Sequence, residues 1–449
     1  MLPYDTPLIH AARCGETAMV ERLLAMRGVD VDETTSDGRN ATPLYIATAE
    51  GHEEVVKLLL EHGAEVDQAD FYFVTPLLIA CDDGHECVTR LLLEHGAAIN
   101  LALVNGETPL YIASQNGHES VVRLLLEHAA AVDQAANGGA TPLFIASQEA
   151  DESVVRLLLE HGAEINKATN SGATPLCVVI LQGHEGVATL LLDHGAAIDG
   201  ATVNGATPLY IASQEGHEGM TALLLDRGAG IDVAKIDGAT PLSIASRHGH
   251  KGVVLLLLEH GAAVNTSLPS GATPLCRACL HGHLETVQLL SSYGADRTFW
   301  VSAVSFWVSA VSLTHHYGHA DLTAWLTTSR LWNTPLHHLC VISSARTRTL
   351  LRDGADLLAA SHAGGPTPLA LAQSMLAAGT AADGSAAHLL LCAARPWSPK
   401  THELFPAAAR ERACLVVRLL YLLAWKHLRP GIAGVDFMQC ILHFDVVRG

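Results

Sequence analysis

The chain has 449 residues, 49% of them apolar, 16% charged and only 5% aromatic, with 27 Lys and Arg against 46 Asp and Glu. An aliphatic, sparsely charged chain of this size buries an ample core, which argues against intrinsic disorder. The net charge of −19 speaks against a nucleic-acid surface, because phosphate affinity rests on clustered Lys and Arg, and it favours basic or neutral partners. Residues Met1–Leu8 show neither a charged n-region nor an apolar h-region, so no leader is expected. The longest uncharged apolar stretch, Phe299–Leu313, is too short and too polar to span a bilayer. The 10 cysteines are scattered through a long chain, which predicts free thiols in a cytoplasmic or nuclear protein rather than a disulfide framework.

Thr-Pro pairs mark the repeat. They stand at Thr6, Thr42, Thr75, Thr108, Thr141, Thr174, Thr207, Thr240 and Thr273, and every interval from Thr42 onward is 33 residues. The interval from Thr6 is 36, with the added residues in Asp37–Asn40. In the unit that starts at Gly205, Thr207 suits an N-cap and Pro208 the first helical position. Leu209 and Ala212 share a face, and Gly216 ends the helix. A second helix carries Leu223–Leu225 and stops at Gly228, and a polar turn leads to the next Thr-Pro. Two short helices and a turn cannot bury a core alone, so the units must stack. His62, His95, His128, His161, His194 and His260 precede the Gly or Ala that ends the second helix, where a donor suits the last carbonyls. His52 and its equivalents recur in the turn between the two helices.

Beyond Thr273 the pattern loosens. Phe-Trp-Val-Ser-Ala-Val-Ser occurs twice in tandem, at Phe299–Ser305 and Phe306–Ser312. The duplication reads as an exposed aromatic loop that captures a partner or as a slippage insertion bulging from the stack; the low cost of added loop length favours the second. A degenerate unit with Gly318-His319 follows, a kink is expected within 297–333, and Thr-Pro returns at Thr334 and Thr367. After Ala394 the signature ends. Pro406–Leu428 reads as one long helix stopped by Pro430-Gly431, and a last helix lies near Val435–Val447. The expected organisation is regular repeats over 1–296, a degenerate repeat over 297–333, terminal repeats over 334–394 and a helical tail over 395–449 that caps the array.

The period and the run Thr-Pro-Leu-x-x-Ala, Gly-His, Leu-Leu-Leu-x-x-Gly-Ala resemble ankyrin repeats over nearly nine-tenths of the chain. The resemblance implies an all-α solenoid of helix-turn-helix units, each with a finger turn or β-hairpin, stacked in a curved superhelix. This sequence departs from the family after Thr-Pro-Leu, where the usual residue is a His bonded to the Thr hydroxyl. That place holds Tyr45, Leu78, Tyr111, Phe144, Cys177, Tyr210, Ser243 and Cys276, and only His337 keeps the family residue. Helix packing must therefore replace that bond in most units.

The resemblance also implies a partner surface made by the finger tips and the outer end of each first helix. Most units are near duplicates there: Val203, Asn204, Ala206, Gln214 and Glu215 correspond to Val104, Asn105, Glu107, Gln115 and Asn116. One unit differs, with Phe71-Tyr72-Phe73-Val74 in place of the usual Asn-Gly turn. Keeping Phe73 in a left-handed conformation costs about 1 kcal/mol. The three aromatics either fold back on Leu103 and Val104 or stay exposed for a partner. Asp82 and Asp83 lie beside them, and further along Glu149 and Glu215 give way to Arg247 and His248. The expected partner is a protein with a basic, apolar-containing segment, bound by a monomer without nucleic acid, membrane or cofactor.

No phosphate loop, His-Glu-x-x-His site or Gly-x-Ser-x-Gly elbow is present, so no catalytic residue is expected. Cys276-x-x-Cys279-x-His281-x-His283 gathers four metal-capable side chains, yet each fills an ordinary repeat position, and a structural role is expected instead of zinc. The sequence thus points to a non-catalytic interaction scaffold or adaptor. The alternative is a substrate receptor of a ubiquitin ligase that docks through the C-terminal helices.

Overall fold

The computed structural model describes residues 6–301, 306–329, 332, 334–339, 341–359 and 366–394, together with 404, 406 and 407; of residues 299–301 and 306–308 only the backbone is described. The tail helices expected within 395–449 therefore lie outside the described residues but for those three positions, as do the aromatic side chains of the duplicated segment. The chain divides into two compact units, Met1–Ile236 and Asp237–Gly449. Among the described residues no helix is long and apolar enough to cross a membrane.

The first unit is a run of antiparallel helix pairs: Pro7–Cys14 with Thr17–Leu24, Pro43–Ala49 with Glu53–Glu61, Pro76–Asp82 with Glu86–Glu94, and Pro109–Gln115 with Glu119–Glu127. Pro142–Gln148 with Glu152–Glu160, Pro175–Gln182 with Glu185–Asp193, and Pro208–Glu215 with Glu218–Asp226 continue it. First helices pack on first helices and second on second, which is how units without a core of their own bury their apolar faces. Each first helix begins as its Thr-Pro predicts. The threonine hydroxyl accepts the amide of the third helical residue, at 3.1 Å from Tyr45 to Thr42 and from Tyr111 to Thr108. Tyr45, Leu78, Tyr111, Phe144, Cys177 and Tyr210 are all buried, so packing occupies the place of the missing histidine.

The two classes of histidine have distinct bonds. At the end of the second helices, Nδ1 of His62, His95, His128, His161 and His194 donates to the carbonyl four residues earlier, at 2.8–2.9 Å. The turn histidines reach across units instead: Nε2 of His52, His85, His118 and His217 donates to the carbonyls of Arg13, Ala49, Asp82 and Leu181. Each of these rings lies over the turn glycine of the preceding unit. A Cβ on Gly15, Gly51 or Gly84 would stand 2.7–2.8 Å from the ring, so that glycine serves both a left-handed φ and a close approach. A third ladder was not anticipated from the sequence. Asp32, Asp67, Asn100, Asp133, Asn166 and Asp199 each accept an amide from the following unit at 2.8–3.0 Å. Fingers join by main-chain bonds, from Asn137 to Asn105, Asn170 to Gly138, Val203 to Ser171 and Ile236 to Asn204.

The second unit begins in the same manner with Pro241–His248 and Lys251–Glu259, then Pro274–Leu280 and Leu284–Ser292. Its next finger differs from the others. Thr298–Val301 (β1) and Phe306–Ser309 (β2) pair antiparallel, with Phe299 opposite Val308, Trp300 opposite Trp307 and Val301 opposite Phe306. The first copy of the duplicated heptapeptide thus pairs with the second, strand to strand. Ser309 then caps Ala310–His316, Gly318-His319 turns the chain, and Ala320–Thr328 completes the pair. At the next Thr-Pro only a 3-10 turn forms, Pro335–His337, followed by the helices Ser344–Arg352, Pro368–Ala377 and Ala386–Ala393. His337 makes the bond implied by the resemblance: its Nε2 donates to the Pro366 carbonyl at 3.1 Å, which leaves Nδ1 to accept the Thr334 hydroxyl at 2.7 Å. Leu336, Leu351, Leu357 and Leu390 build the local core.

Candidate functional site

The Phe71–Val74 finger has the turn of its neighbours but a different buttress. The Asp70 amide donates to the Val74 carbonyl and the Phe73 amide to the Asp70 carbonyl, both at 3.0 Å, as in the glycine fingers. The buried Asp70 carboxylate fixes the loop from beneath: Oδ1 accepts the amides of Tyr72 at 2.9 Å and Val74 at 3.0 Å, and Oδ2 accepts Arg39 Nε at 3.4 Å. Arg39 also reaches the Tyr45 hydroxyl at 3.4 Å, and the Phe71 amide donates to the Arg39 carbonyl at 2.8 Å. Asp70 escapes a reading of the sequence because its equivalents Leu103, Ala136, Thr169 and Thr202 have no carboxylate.

With the backbone held, the side chains point outward. Phe71, Tyr72 and Phe73 are 62%, 64% and 64% exposed, so they do not fold back to bury themselves on Leu103 and Val104, and Val104 is itself 74% exposed. Phe71 and Tyr72 meet edge to face at 5.5 Å. Phe73 has φ of 65°, the left-handed conformation its position requires. Val74 turns inward against Leu78 and Tyr111.

Acidic groups stand at the far end of the helix that follows the finger. Asp82 and Asp83 are exposed at the end of Pro76–Asp82. The Asp83 carboxyl is pushed up by partial burial, then by the adjacent Asp82 and by Glu50, against the opposing influence of His85 and His118. Asn116 is tied to this end, its Nδ2 donating to the Asp82 carbonyl and Oδ1 at 2.9 Å each. Gln115 is exposed beside it, and Asn105 tops the next finger, its carbonyl accepting the Asn137 amide at 2.8 Å. The structure therefore gathers Phe71–Phe73, Asp82, Asp83, Val104, Asn105, Gln115 and Asn116 on neighbouring fingers and helix ends. Glu149 and Glu215 occupy the same helix-end position in later units, accepting from Gln148 and Gln214. Arg247 and His248 belong to the second unit, exposed at the end of Pro241–His248, where His248 stacks with His250 at 5.7 Å.

Cys276 and Cys279 are buried in the second unit, and burial pushes the Cys276 thiol up to about 11 and that of Cys279 higher still. His283 is a turn histidine whose Nε2 donates to the Arg247 carbonyl at 2.9 Å, and its ring stacks with His281 at 6.1 Å. Among the described residues no three metal-capable side chains converge.

A family model for ankyrin repeats, in three copies, matches residues 3–70, 77–169, 143–237 and 223–298. The chain belongs to the ankyrin-repeat family. Among solved structures, the crystal structure of the human ASB11 ankyrin repeat domain is 30% identical over 45% of this chain and 91% of that one, with a TM-score of 0.42. Ankyrin repeats are generally protein–protein interaction modules, and the Phe71–Phe73 finger carries aromatic residues where later fingers have an Asn-Gly turn, as at Asn105-Gly106 and Asn204-Gly205.

Proposed function

We propose that this ankyrin-repeat chain is a non-catalytic scaffold or adaptor whose protein partner docks on the finger and helix ends centred on Phe71, Tyr72 and Phe73. The observation that carries the reading is the exposure of three consecutive aromatics in a chain with only 5% aromatic residues, on a finger braced by a buried carboxylate. An exposed apolar patch held rigid is an interaction site by its physics, since leaving it in water is unfavourable and ordering it again on binding costs little. Asp82, Asp83 and Glu50 give the patch an acidic border, which selects a partner segment with Lys or Arg beside apolar residues. Each ring buried contributes about 1.5–3 kcal/mol, and association costs reduce the sum to about micromolar affinity from this patch alone.

The test is affinity purification with the full-length protein and its Phe71→Ala/Tyr72→Ala/Phe73→Ala variant, followed by mass spectrometry. The expected result is the loss of specific partners with an unchanged circular dichroism spectrum. An identical partner set from both proteins overturns the site.

A further inference from the structure

The main-chain bonds that join the fingers of the first unit are interrupted at one junction. From finger to finger the amide of one tip donates to the carbonyl of the previous one: Phe71 to Arg39 at 2.8 Å, Asn137 to Asn105 at 2.8 Å, Asn170 to Gly138 at 3.0 Å, Val203 to Ser171 at 3.0 Å and Ile236 to Asn204 at 3.1 Å. The bond that would continue this series, from the Val104 amide to the Tyr72 carbonyl, is not made. The turn beneath it is intact, since Phe73 and Gly106 make the same internal bonds as the other fingers.

The residue two before each threonine explains the gap. In the later fingers it is glycine, and it has no room to be anything else. A Cβ on Gly106, Gly139, Gly172 or Gly205 would stand 2.6–3.0 Å from the amide nitrogen of Asn137, Asn170, Val203 or Ile236. At the interrupted junction that place holds Phe73. A side chain alone does not break the series, because Asn40 fills the same place in the finger before and the Phe71 bond survives. Phe73 differs from Asn40 in carrying a bulky apolar ring at this place.

We infer that Phe73 opens the finger array at this junction to receive an extended, basic segment of the partner polypeptide, paired main chain to main chain with the Tyr72 carbonyl and the Val104 amide. The segment's N–H donates to Tyr72 and its C=O accepts from Val104, which is the way an extended peptide joins an unfilled edge. Its alternate apolar side chains meet Phe71, Tyr72 and Val104, all exposed, and its cations meet Asp82 and Asp83. The charges near this slot favour that sign of partner. Arg39 is committed to Asp70, and the imidazoles beside Asp83 are those of His85 and His118, whose Nε2 atoms donate to main-chain carbonyls. This inference rests on the docking surface proposed above and adds the partner's conformation and bonding.

The test has two readouts on the full-length protein. Amide exchange comes first: the Val104 amide is expected to exchange freely while those of Asn137, Asn170, Val203 and Ile236 are protected at least tenfold. Phe73→Gly and Phe73→Asn are each expected to protect Val104. A Val104 amide already protected in the parent protein overturns the inference. Binding comes second, with a displayed library of 12-residue peptides panned on the parent protein and the enriched peptides synthesised. Enriched peptides should alternate basic and apolar residues, and weaken at least tenfold against Phe73→Gly and when alternate amides are N-methylated. Peptides indifferent to N-methylation but lost with Phe71→Ala/Tyr72→Ala overturn the main-chain pairing and leave the docking surface standing. Peptides indifferent to all these changes, or no enrichment at all, overturn both.

Discussion

Met1–Ile236 and the later part of Asp237–Gly449 are both built from short helix pairs, but they are held by different kinds of contact. In the first unit a few bonds recur from unit to unit: a threonine cap, an Asp or Asn to the following unit's amide and, in most units, a turn histidine to the preceding unit's carbonyl. In the second, single-copy contacts take over after Ser292. Arg297 Nη1 donates to the Ser329 carbonyl at 2.7 Å and hydroxyl at 3.1 Å while its guanidinium stands 5.2 Å from the Trp325 ring. Trp325, Trp332 and His338 meet within 5.2–6.2 Å of one another, and Arg346 lies 3.3 Å from the Tyr293 ring centroid. The first arrangement spreads stability over many equal interfaces, and the second concentrates it in a few side chains. Four experiments test that contrast.

The largest effect is expected at Arg297. Arg297→Ala removes two charge-assisted hydrogen bonds and leaves a carbonyl short of a donor, a loss of about 2–4 kcal/mol from the second unit. All six tryptophans lie between residues 300 and 425, so tryptophan fluorescence during urea unfolding reports on this unit alone. The fluorescence midpoint should fall while the main far-ultraviolet transition changes little. A shared shift of both would show that the two units unfold as one.

Acid should produce the next largest. Burial, reinforced by Arg297 and His337, lowers the His338 imidazole to about 3. Its folded form binds the proton far less readily than an unfolded histidine near 6.5. The stabilisation is complete above pH 6.5 and is lost as pH falls towards 3, at about 1.4 kcal/mol per pH unit for each proton taken up. His337, lowered by burial, acts in the same direction. The fluorescence transition should weaken steeply from pH 6.5 to 4.5, and His338→Gln should flatten the dependence. An unchanged slope in that variant would remove His338 from the account.

Capping should show the opposite pattern of uniform cost. Thr108→Ala and Thr207→Ala each delete the same buried cap, and each should lose about 1 kcal/mol in urea unfolding. Costs that differ by more than about 0.5 kcal/mol would break the equivalence of the interfaces.

The smallest effect is a gain. Ala150 takes the turn-glycine place with φ of 62°, and His184, which follows it by one unit, makes none of the carbonyl bonds of the other turn histidines. A Cβ occupies the space where the ring would lie. Ala150→Gly should stabilise the first unit by about 1 kcal/mol and slow exchange near His184. A loss of stability would show that the absent bond has another cause.

Much of this molecule is legible in its residues because a 33-residue period samples the same physics many times. Thr207-Pro208 reads as a helix start, Gly216 as its stop and His194 as a carbonyl partner, since each effect is local and the spacing of the helix supplies the geometry. The Asp and Asn ladder escapes such a reading: Asp67 meets Ala98 only after two units have stacked, and nothing adjacent in sequence marks it. The candidate site divides in the same way. Phe71, Tyr72 and Phe73 stand out in an aromatic-poor sequence, but their exposure depends on Asp70 and Arg39, which meet across two fingers.

The sequence by itself determined the repeat, the caps, the turn residues and the strain at Phe73, because those follow from local backbone geometry and from a pattern repeated at fixed spacing. Only the tertiary structure decided that the duplicated heptapeptide pairs with itself, that Arg297 and His338 meet over Trp325, and that the finger series opens between Tyr72 and Val104. These depend on how closely two backbones approach after stacking. In that approach the residue two before each threonine matters: with glycine or Asn40 there the finger-to-finger bond forms, and with Phe73 it does not.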